Sequence, residues 1–317
     1  MSEMKRSDFW RLCYRARPYL AHLTTDELAC RSQDLMANIA ILTPQGQIGL
    51  HLPTETTPYP WMEMWTHVLE EFGLRGMGLP SNALDRETVP SPSAPSPAKG
   101  YLESQKLGRD VSHCLIKYGN RTWLRTTLET GGWLVSPASF YSKANLNKAR
   151  KDSELEFPIR AARLDKTLRP VEGIDGEFYH ELKGEFQINL KAPSDYYLVS
   201  LARGLVYRMF DDFDSDACLI VKNEQEFVRR MLSAFGSTNP DWFGTFKTVD
   251  YIDPCSPKPP IDIRFVKHFR FAYQEEARFV WNPCKFEEGL PRISICLGPL
   301  NDICELMLLN DQEFIGH

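Results

Sequence analysis

The stretch Lys267–Pro283, KHFRFAYQEEARFVWNP, decides the predicted fold. Its aromatic side chains alternate with polar or small residues on both sides of a short charged break, as Phe269, Phe271 and Tyr273 before it and Phe279 and Trp281 after it. A period of two is typical of a β-strand that buries one face. The sequence therefore predicts strand structure through this stretch, in a sheet that packs on a core.

The charged break contains the candidate catalytic residues. Continued as a strand, the period of two places Gln274, Glu276 and Arg278 on one face and Glu275 on the other. A carboxylate and a guanidinium two residues apart on one face can keep each other ionised and oriented. The alternative interpretation is an ordinary ion pair on a solvated sheet face, which contributes little to stability.

Length, composition and charge limit the class of protein. A chain of 317 residues can form one large domain or two ordinary ones. The net charge of −5 excludes an overall basic field that would attract nucleic acid, although a local basic groove stays open. Apolar runs fall short of the ~18 residues that span a bilayer, and the N-terminus lacks a signal-peptide core. We therefore expect a cytosolic protein that does not enter a membrane.

Cysteine and histidine spacing argues against a zinc site. None of the eight cysteines forms a CxxC pair, and Cys114, Cys218 and Cys296 lie in apolar runs that are typical of buried reduced thiols. The seven histidines lack HxH or HExxH spacing. The phosphate-binding and nucleophile motifs GxGxxG, GxxxxGK[ST] and GxSxG do not occur either. The sequence therefore predicts no structural zinc site.

The first 79 residues form a predicted helical region with a hairpin. Helical spacing runs through 7–38, where Thr24–Glu27 gives a second helix-start signal. Two short apolar runs around a turn predict a hairpin over 38–52. Residues 61–72 place Trp61 and Trp65 on one helical face, which is typical of a core or an interface.

A Pro/Ser-rich linker at 80–100 separates this region from a main domain at 101–317. Gly131-Gly132 ends one predicted helix of the main domain, and Asn223 caps another. The remaining signals predict a hairpin around Gly184 and short strands at 112–118, 133–136, 196–201, 217–221, 263–273 and 292–297. Interspersed short strands and few long helices predict an α+β fold with a mainly antiparallel or mixed split sheet.

The main domain resembles an uncharacterised bacterial domain family. The resemblance lies in Lys117-Tyr118 at a strand end, in a short helix and glycine over 124–132, and in Ser136-Pro137. It continues in the polar loop at 147–154 and in the Gln-Glu-Glu-Ala-Arg sequence at 274–278. This loop lacks the Asp-Pro of the family pattern, and Gln274 replaces a glutamate. Such a resemblance implies a fold and no reaction.

The order of polar positions also resembles that of ADP-ribosyltransferases. In that family an early strand carries Arg or His, a middle strand carries Ser or Tyr, and a late Gln-x-Glu or Glu-x-Glu turn carries the catalytic glutamate. The matching positions here are His113 or Lys117, then Ser200, then Gln274-x-Glu276. The resemblance implies a split sheet around an NAD crevice.

The same resemblance implies roles for the candidate residues. Glu276 is expected to stabilise the oxocarbenium charge on the ribose, with Arg278 as its orienting partner and Gln274 as the contact to the acceptor. Lys117, Tyr118, Ser200, Tyr141 and His113 are expected to line the NAD site, with Tyr118 or Tyr141 stacked on nicotinamide. The acceptor stays open between protein, nucleic acid and water, as would suit a bacterial defence or toxin effector.

Two other classes of function stay open. Asp175, Glu181 and Lys183 are spaced as in some metal-dependent nucleases, although a solvated hairpin is the simpler explanation of this spacing. A non-enzymatic adaptor of a defence or toxin–antitoxin system would instead use Trp61 and Trp65 as interface anchors for a protein partner.

Overall fold

The computed structural model describes residues 4–43, 47–50, 60–84, 111, 113–142, 153–162, 185–255 and 262–309. This part of the chain has an α+β fold in which N-terminal helices accompany a large antiparallel sheet, as predicted. Most of the predicted linker, at 85–100, lies outside the described residues. So does the first half of the predicted hairpin around Gly184. The division into domains therefore stays a prediction.

The N-terminal region contains three helices and a hairpin: α1 (Arg6–Ala16), α2 (Thr25–Ile39), β1 (Ala40–Leu42), β2 (Ile48–Leu50) and α3 (Pro60–Leu74). The start of α2 is a capping box, in which the Thr24 hydroxyl accepts from the Glu27 N–H and the Glu27 carboxylate accepts from the Thr24 N–H. Such a box satisfies two backbone donors that a helix start leaves open. The predicted second helix start and the hairpin are both confirmed.

The rest of the chain forms the elements β3 (Leu115–Gly119), α4 (Arg121–Thr130), β4 (Gly132–Pro137), β5 (Glu156–Ala162), β6 (Glu185–Lys191), β7 (Tyr197–Arg203), α5 (Arg208–Asp212), β8 (Ala217–Val221), α6 (Glu224–Thr238), β9 (Trp242–Thr248), β10 (Asp250–Ile252), β11 (Val266–His268), β12 (Glu276–Pro283), β13 (Ile293–Cys296) and β14 (Cys304–Leu308). Short helical turns of 3-10 type cover 263–265 and 269–274. Asn223 caps α6, and Gly131 ends α4 with φ 72°, as predicted.

Among the described residues, the large sheet has eight strands and is split at β7. Strand β12 pairs with β7 along one edge, in the register Arg278↔Ser200. The other edge of β7 is shared by two strands, because β3 pairs at Ile116↔Ala202 and β4 pairs at Ser136↔Leu198. Beyond β3 the order continues through β8 to β14, while β9 extends the sheet beyond β12 and β13 extends it beyond β4.

The two faces of β12 have different environments. Ala277, Phe279 and Trp281 point into the main hydrophobic core, where helices α4 and α6 cover the sheet with Leu124, Leu128, Phe227, Met231 and Phe235. Since neighbouring strand residues face opposite sides, Glu276 and Arg278 lie on the other face. That face is buried as well, which the sequence interpretation of a solvated ion pair did not foresee.

The strand predicted at 263–273 is wrong. Only Val266–His268 forms a strand, and the aromatic residues that follow coil into the 3-10 turn of 269–274. Glu275 then adopts a left-handed conformation with φ 42°, which redirects the chain into β12. Packing against α2 and α3 overrides the strand propensity of these aromatics. The interval 236–262, for which no strand was predicted, contains the strands β9 and β10, and β14 was not predicted either.

Candidate functional site

Glu276 is held by three side chains at the first position of β12. Its Oε1 accepts hydrogen bonds from Ser200 Oγ on β7 and from Arg278 Nε, both at 2.5 Å. Its Oε2 accepts from Lys267 Nζ on β11 at 2.9 Å. The backbone N–H of Glu276 donates to the Tyr251 hydroxyl oxygen at 2.7 Å. Both oxygens of the carboxylate therefore have cationic partners.

Arg278 is fully buried and uses all three guanidinium nitrogens. In addition to the bond from Nε to Glu276, Nη2 donates to Glu154 Oε1 at 2.8 Å and Nη1 lies 2.6 Å from Glu154 Oε2. The Nη1 atom also donates to the Arg264 carbonyl oxygen at 2.9 Å. Arg278 thus joins two carboxylates and a backbone carbonyl from three separate parts of the chain.

Lys267 completes the group. Its Nζ donates to Gln274 Oε1 at 3.0 Å as well as to Glu276, so it connects Gln274 to the catalytic candidate although Gln274 lies in the 3-10 turn. We call these residues the buried charge cluster: Glu154, Ser200, Lys267, Gln274, Glu276 and Arg278. Two carboxylates balance two cations within it.

The charges of the cluster determine the protonation of Glu276. Burial alone would raise the pKa of this carboxyl, but Arg278 and Lys267 outweigh it and hold the pKa well below its usual range. Burial and the nearby Glu276 carboxylate raise the pKa of Tyr251 far above its ordinary value. Burial, with Glu154 and Glu276 adding to it, raises the pKa of Tyr141 to about 12. Glu276 is therefore ionised at neutral pH beside two neutral phenols.

The structure brings most of the predicted site residues together. Glu276, Arg278, Gln274 and Ser200 are all in the cluster, and Tyr141 is close enough for its pKa to respond to Glu276. The Lys117 ammonium donates to the Ser200 carbonyl oxygen at 2.9 Å, at the point where β3 leaves β7.

Two predicted residues lie elsewhere. The Tyr118 hydroxyl donates to the Val206 carbonyl oxygen, and its ring packs edge-on against Phe210 in a separate apolar cluster. His113 is exposed and precedes β3. Strand β3 diverges from β7 after Ile116, so it does not carry Tyr118 to the cluster.

Two residues of the cluster were not assigned to it from the sequence. Lys267 lies in the stretch for which a continuous strand was predicted. It contacts Gln274 and Glu276 because the chain turns between them at Glu275, and that turn was not predicted. Glu154 lies 124 residues before Arg278 and comes near it only through tertiary packing. An acidic residue in a polar loop carries no signal that distinguishes it from a solvated one.

The cluster is covered by residues 262–274, which we call the cover segment. It contributes Lys267, the Arg264 carbonyl and Gln274, and it leaves Glu276 only 5% exposed and Arg278 fully buried. The sequence allowed an open crevice or an open sheet face, and the structure has neither at this point. A cavity of about 720 Å³ lies beside the start of α6, lined by Lys222, Asn223, Glu224, Gln225, Val228 and Phe246. Phe246 faces the side of the sheet away from Glu276.

Within the described ranges, no three His, Cys, Asp or Glu side chains are grouped so that they could hold a metal ion. The nuclease candidates Asp175, Glu181 and Lys183 lie outside those ranges. In the same part of the chain, no helix has the length and apolar character needed to cross a bilayer.

Comparison with protein-family models, with curated proteins and with solved structures found no match. Both family resemblances therefore stay predictions. The function is inferred from the geometry of the buried charge cluster and of the strands that carry it.

Proposed function

We propose that the chain is an NAD-consuming enzyme of ADP-ribosyltransferase type with Glu276 as its catalytic carboxylate. One observation carries the proposal: Ser200 on β7 donates a hydrogen bond of 2.5 Å to Glu276 on the neighbouring strand β12. Strand β3, which carries Lys117, lies on the other edge of β7. The resemblance implies this set of an early polar strand, a serine strand and a glutamate strand.

The proposed reaction breaks the bond between ribose C1′ and the nicotinamide nitrogen. Nicotinamide leaves with the bonding electron pair, which neutralises its ring nitrogen, and positive charge develops on the ribose. The acceptor or water adds to C1′ and loses a proton. A carboxylate that is already ionised and oriented stabilises this charge without reorganisation. The lowered pKa of Glu276 supports that role.

The two carboxylate oxygens of Glu276 accept hydrogen bonds from different parts of the structure. Oε1 is fixed by Ser200 and Arg278, which both belong to the sheet. Oε2 is bonded by Lys267, which belongs to the cover segment. If the cover segment moves away, Oε2 becomes available to a ribose hydroxyl while Oε1 keeps the carboxylate in position. We therefore interpret the structure as the closed, resting form of the enzyme.

The remaining predicted residues receive roles that fit this interpretation. Tyr141, which is partly buried beside Glu154 and Glu276, is proposed to stack on the nicotinamide ring. Lys117 is proposed to maintain the split of the sheet, because its ammonium satisfies the Ser200 carbonyl that β3 leaves without a backbone partner. The acceptor is protein, nucleic acid or water.

The test is nicotinamide release from NAD by the purified chain, with and without cell extract as a source of acceptor. Glu276→Gln keeps the shape of the side chain but removes its charge, and we expect release to fall at least roughly 100-fold. Glu226→Gln is the matched control, because Glu226 is a carboxylate paired with arginine on the solvent side of α6. Release by Glu276→Gln at the wild-type rate, with folding retained, would refute the proposal.

A second candidate is a non-enzymatic protein that binds a partner. It is favoured by the full enclosure of the charge cluster, since an internal ion network can also be purely structural. The predicted anchors Trp61 and Trp65 pack into the N-terminal core, whereas Phe9 and Leu12 on α1 are about half exposed, at 56% and 51%. If this candidate is right, a partner captured from cell extract is lost in Phe9→Ser/Leu12→Ser and retained in Glu276→Gln.

A further inference from the structure

We infer that the N-terminal helices regulate the site by clamping the cover segment over Glu276. The inference rests on the proposed function, because that function requires NAD to reach Glu276 under the cover segment. It follows from the layers of the structure. The inner side of the cover segment contacts the charge cluster through Lys267, and its outer side contacts α2 and α3.

One buried side chain near the end of α2 holds the 3-10 turn of the cover segment at both ends. Asn38 Nδ2 donates to the Phe269 carbonyl oxygen at 2.9 Å, and the Tyr273 N–H donates to Asn38 Oδ1 at 2.9 Å. These bonds join backbone groups at the first and fifth residues of the 269–274 turn. The turn therefore has its backbone partners on α2 as well as within itself.

Side-chain packing reinforces the same contact. Phe269 is almost fully buried, stacks on Trp61 of α3 with ring centroids 5.9 Å apart, and lies under the Arg31 guanidinium of α2 at 5.2 Å. Arg31 also makes two hydrogen bonds to Asp253, at 2.8 and 2.7 Å. Asp253 follows β10, which pairs with the β11 strand that carries Lys267. Helix α2 therefore holds both the turn and the strand of the cover segment.

These contacts connect the position of α2 to the access of Glu276. Moving α2 away removes two hydrogen bonds and the apolar packing of Phe269 from the outer side of the cover segment. The cover segment then keeps its inner contacts through Lys267 and the Arg264 carbonyl, together with the pairing of β11 with β10. The cover segment is in equilibrium between the closed state and a state in which it has moved away from Glu276. The contacts with α2 stabilise the closed state only. Weakening them therefore raises the population in which Oε2 of Glu276 is accessible.

The experiment is hydrogen exchange of the full chain, followed by peptide, with two asparagine variants. Asn38→Ala removes both bonds to the cover segment. We expect exchange in peptides over 262–281 to become roughly tenfold faster while the strands β8 and β14 keep their protection. Asn223→Ala is the matched control, since it removes one cap bond from Glu226 N–H at the start of α6 and is expected to loosen only that helix end.

Equal acceleration along the whole chain, or unchanged exchange over 262–281, overturns the clamp. If Asn38→Ala does not fold, Asn38→Ser is used in the same way, because its shorter side chain weakens both bonds and leaves a polar group in place. Nicotinamide release separates the two hypotheses. A clamp that controls the active site raises kcat/KM in Asn38→Ala by the factor seen in exchange. Faster exchange confined to 262–281, with no nicotinamide release by any variant, supports the clamp and refutes the proposed reaction. Nicotinamide release by the wild type, with unchanged exchange over 262–281 in Asn38→Ala, supports the reaction and refutes the clamp.

Discussion

Arg278 shows how much a single residue contributes to this site. It is fully buried, its three nitrogens contact Glu276, Glu154 and a backbone carbonyl, and the two carboxylates belong to different parts of the chain. A buried ion pair is not in itself strong evidence of added stability, because desolvation offsets much of the attraction. Removing one member is different, because the remaining charges then lie in the interior without compensation.

We predict that Arg278→Ala lowers the free energy of unfolding by about 3–5 kcal/mol, measured by urea denaturation at neutral pH. Arg229→Ala is the control, because Arg229 is also paired with a glutamate but is 64% exposed. We expect no measurable change there, since water screens exposed pairs. An equally small effect of both substitutions would contradict the buried network.

At the scale of elements, the side chain of His268 caps the 3-10 turn of the cover segment. The ring nitrogen Nδ1 accepts from the Arg270 N–H at 3.2 Å and caps the 3-10 turn. Burial lowers the pKa of His268 to about 3, with Arg270 and Arg31 adding to the shift and Asp253 opposing it. The folded state thus keeps this histidine neutral below the pH at which the unfolded chain protonates it.

This pKa gives a prediction of pH dependence. Between about pH 3 and 6.5 the unfolded state binds one proton more at His268, so its contribution to stability is full above about pH 6.5 and is lost as the pH falls. Asn at this position keeps an acceptor for the cap but does not titrate. In His268→Asn we therefore expect the dependence of unfolding free energy on pH to become shallower between pH 4 and 6.5, by at most about 1.4 kcal/mol per unit.

Asp34 on α2 acts in the opposite direction. Burial raises its pKa to about 6, so the folded state binds more protons than the unfolded state between about pH 4 and 6. The wild type and His268→Asn both contain Asp34. The difference in their unfolding free energy at each pH therefore reports the contribution of His268 alone. Denaturant titrations at several pH values give this difference, and parallel curves would show that His268 titrates normally in the fold.

At the scale of the whole molecule, the N-terminal helices and the cover segment share one apolar cluster. Phe269 belongs to the apolar cluster of Tyr14, Leu28 and Phe72, although it lies far from them in sequence. Arg31 and Asp253 are 222 residues apart and almost entirely buried. Unfolding of the N-terminal helices alone would leave Asp253 without its charged partner and would remove the packing and hydrogen bonds on the outer side of the cover segment.

A double-mutant cycle with Arg31→Met and Asp253→Asn tests this coupling. Each single substitution leaves one buried group without its charged partner, so we expect the double variant to be more stable than the sum of the two losses implies. The expected interaction energy is about 1–3 kcal/mol. Urea denaturation followed by fluorescence and by far-UV circular dichroism should give coincident transitions. Additive losses, or two separate transitions, would show that the N-terminal region is energetically independent.

Features that depend on near neighbours along the chain were predictable from local sequence signals. The capping box at Thr24, the cap at Asn223 and the left-handed end of α4 at Gly131 involve residues within a few positions of one another, so local signals predicted them. The period of two in β12 also placed Glu276 and Arg278 on one face. The α+β class followed from the sum of such local signals.

The segment that covers this face of β12 depends on contacts between residues that are far apart in sequence. The aromatics at 269–273 have the spacing of a strand, but Asn38, which lies 231 and 235 residues from its two backbone partners, holds them in a 3-10 turn. Glu154 and Lys267 also contact the cluster because of how the chain folds, and no local sequence pattern predicts these contacts. Periodicity reports which side chains share a face, whereas the partner of that face depends on how distant segments pack. The pair of Glu276 and Arg278 was therefore predictable, and its burial under the cover segment was not.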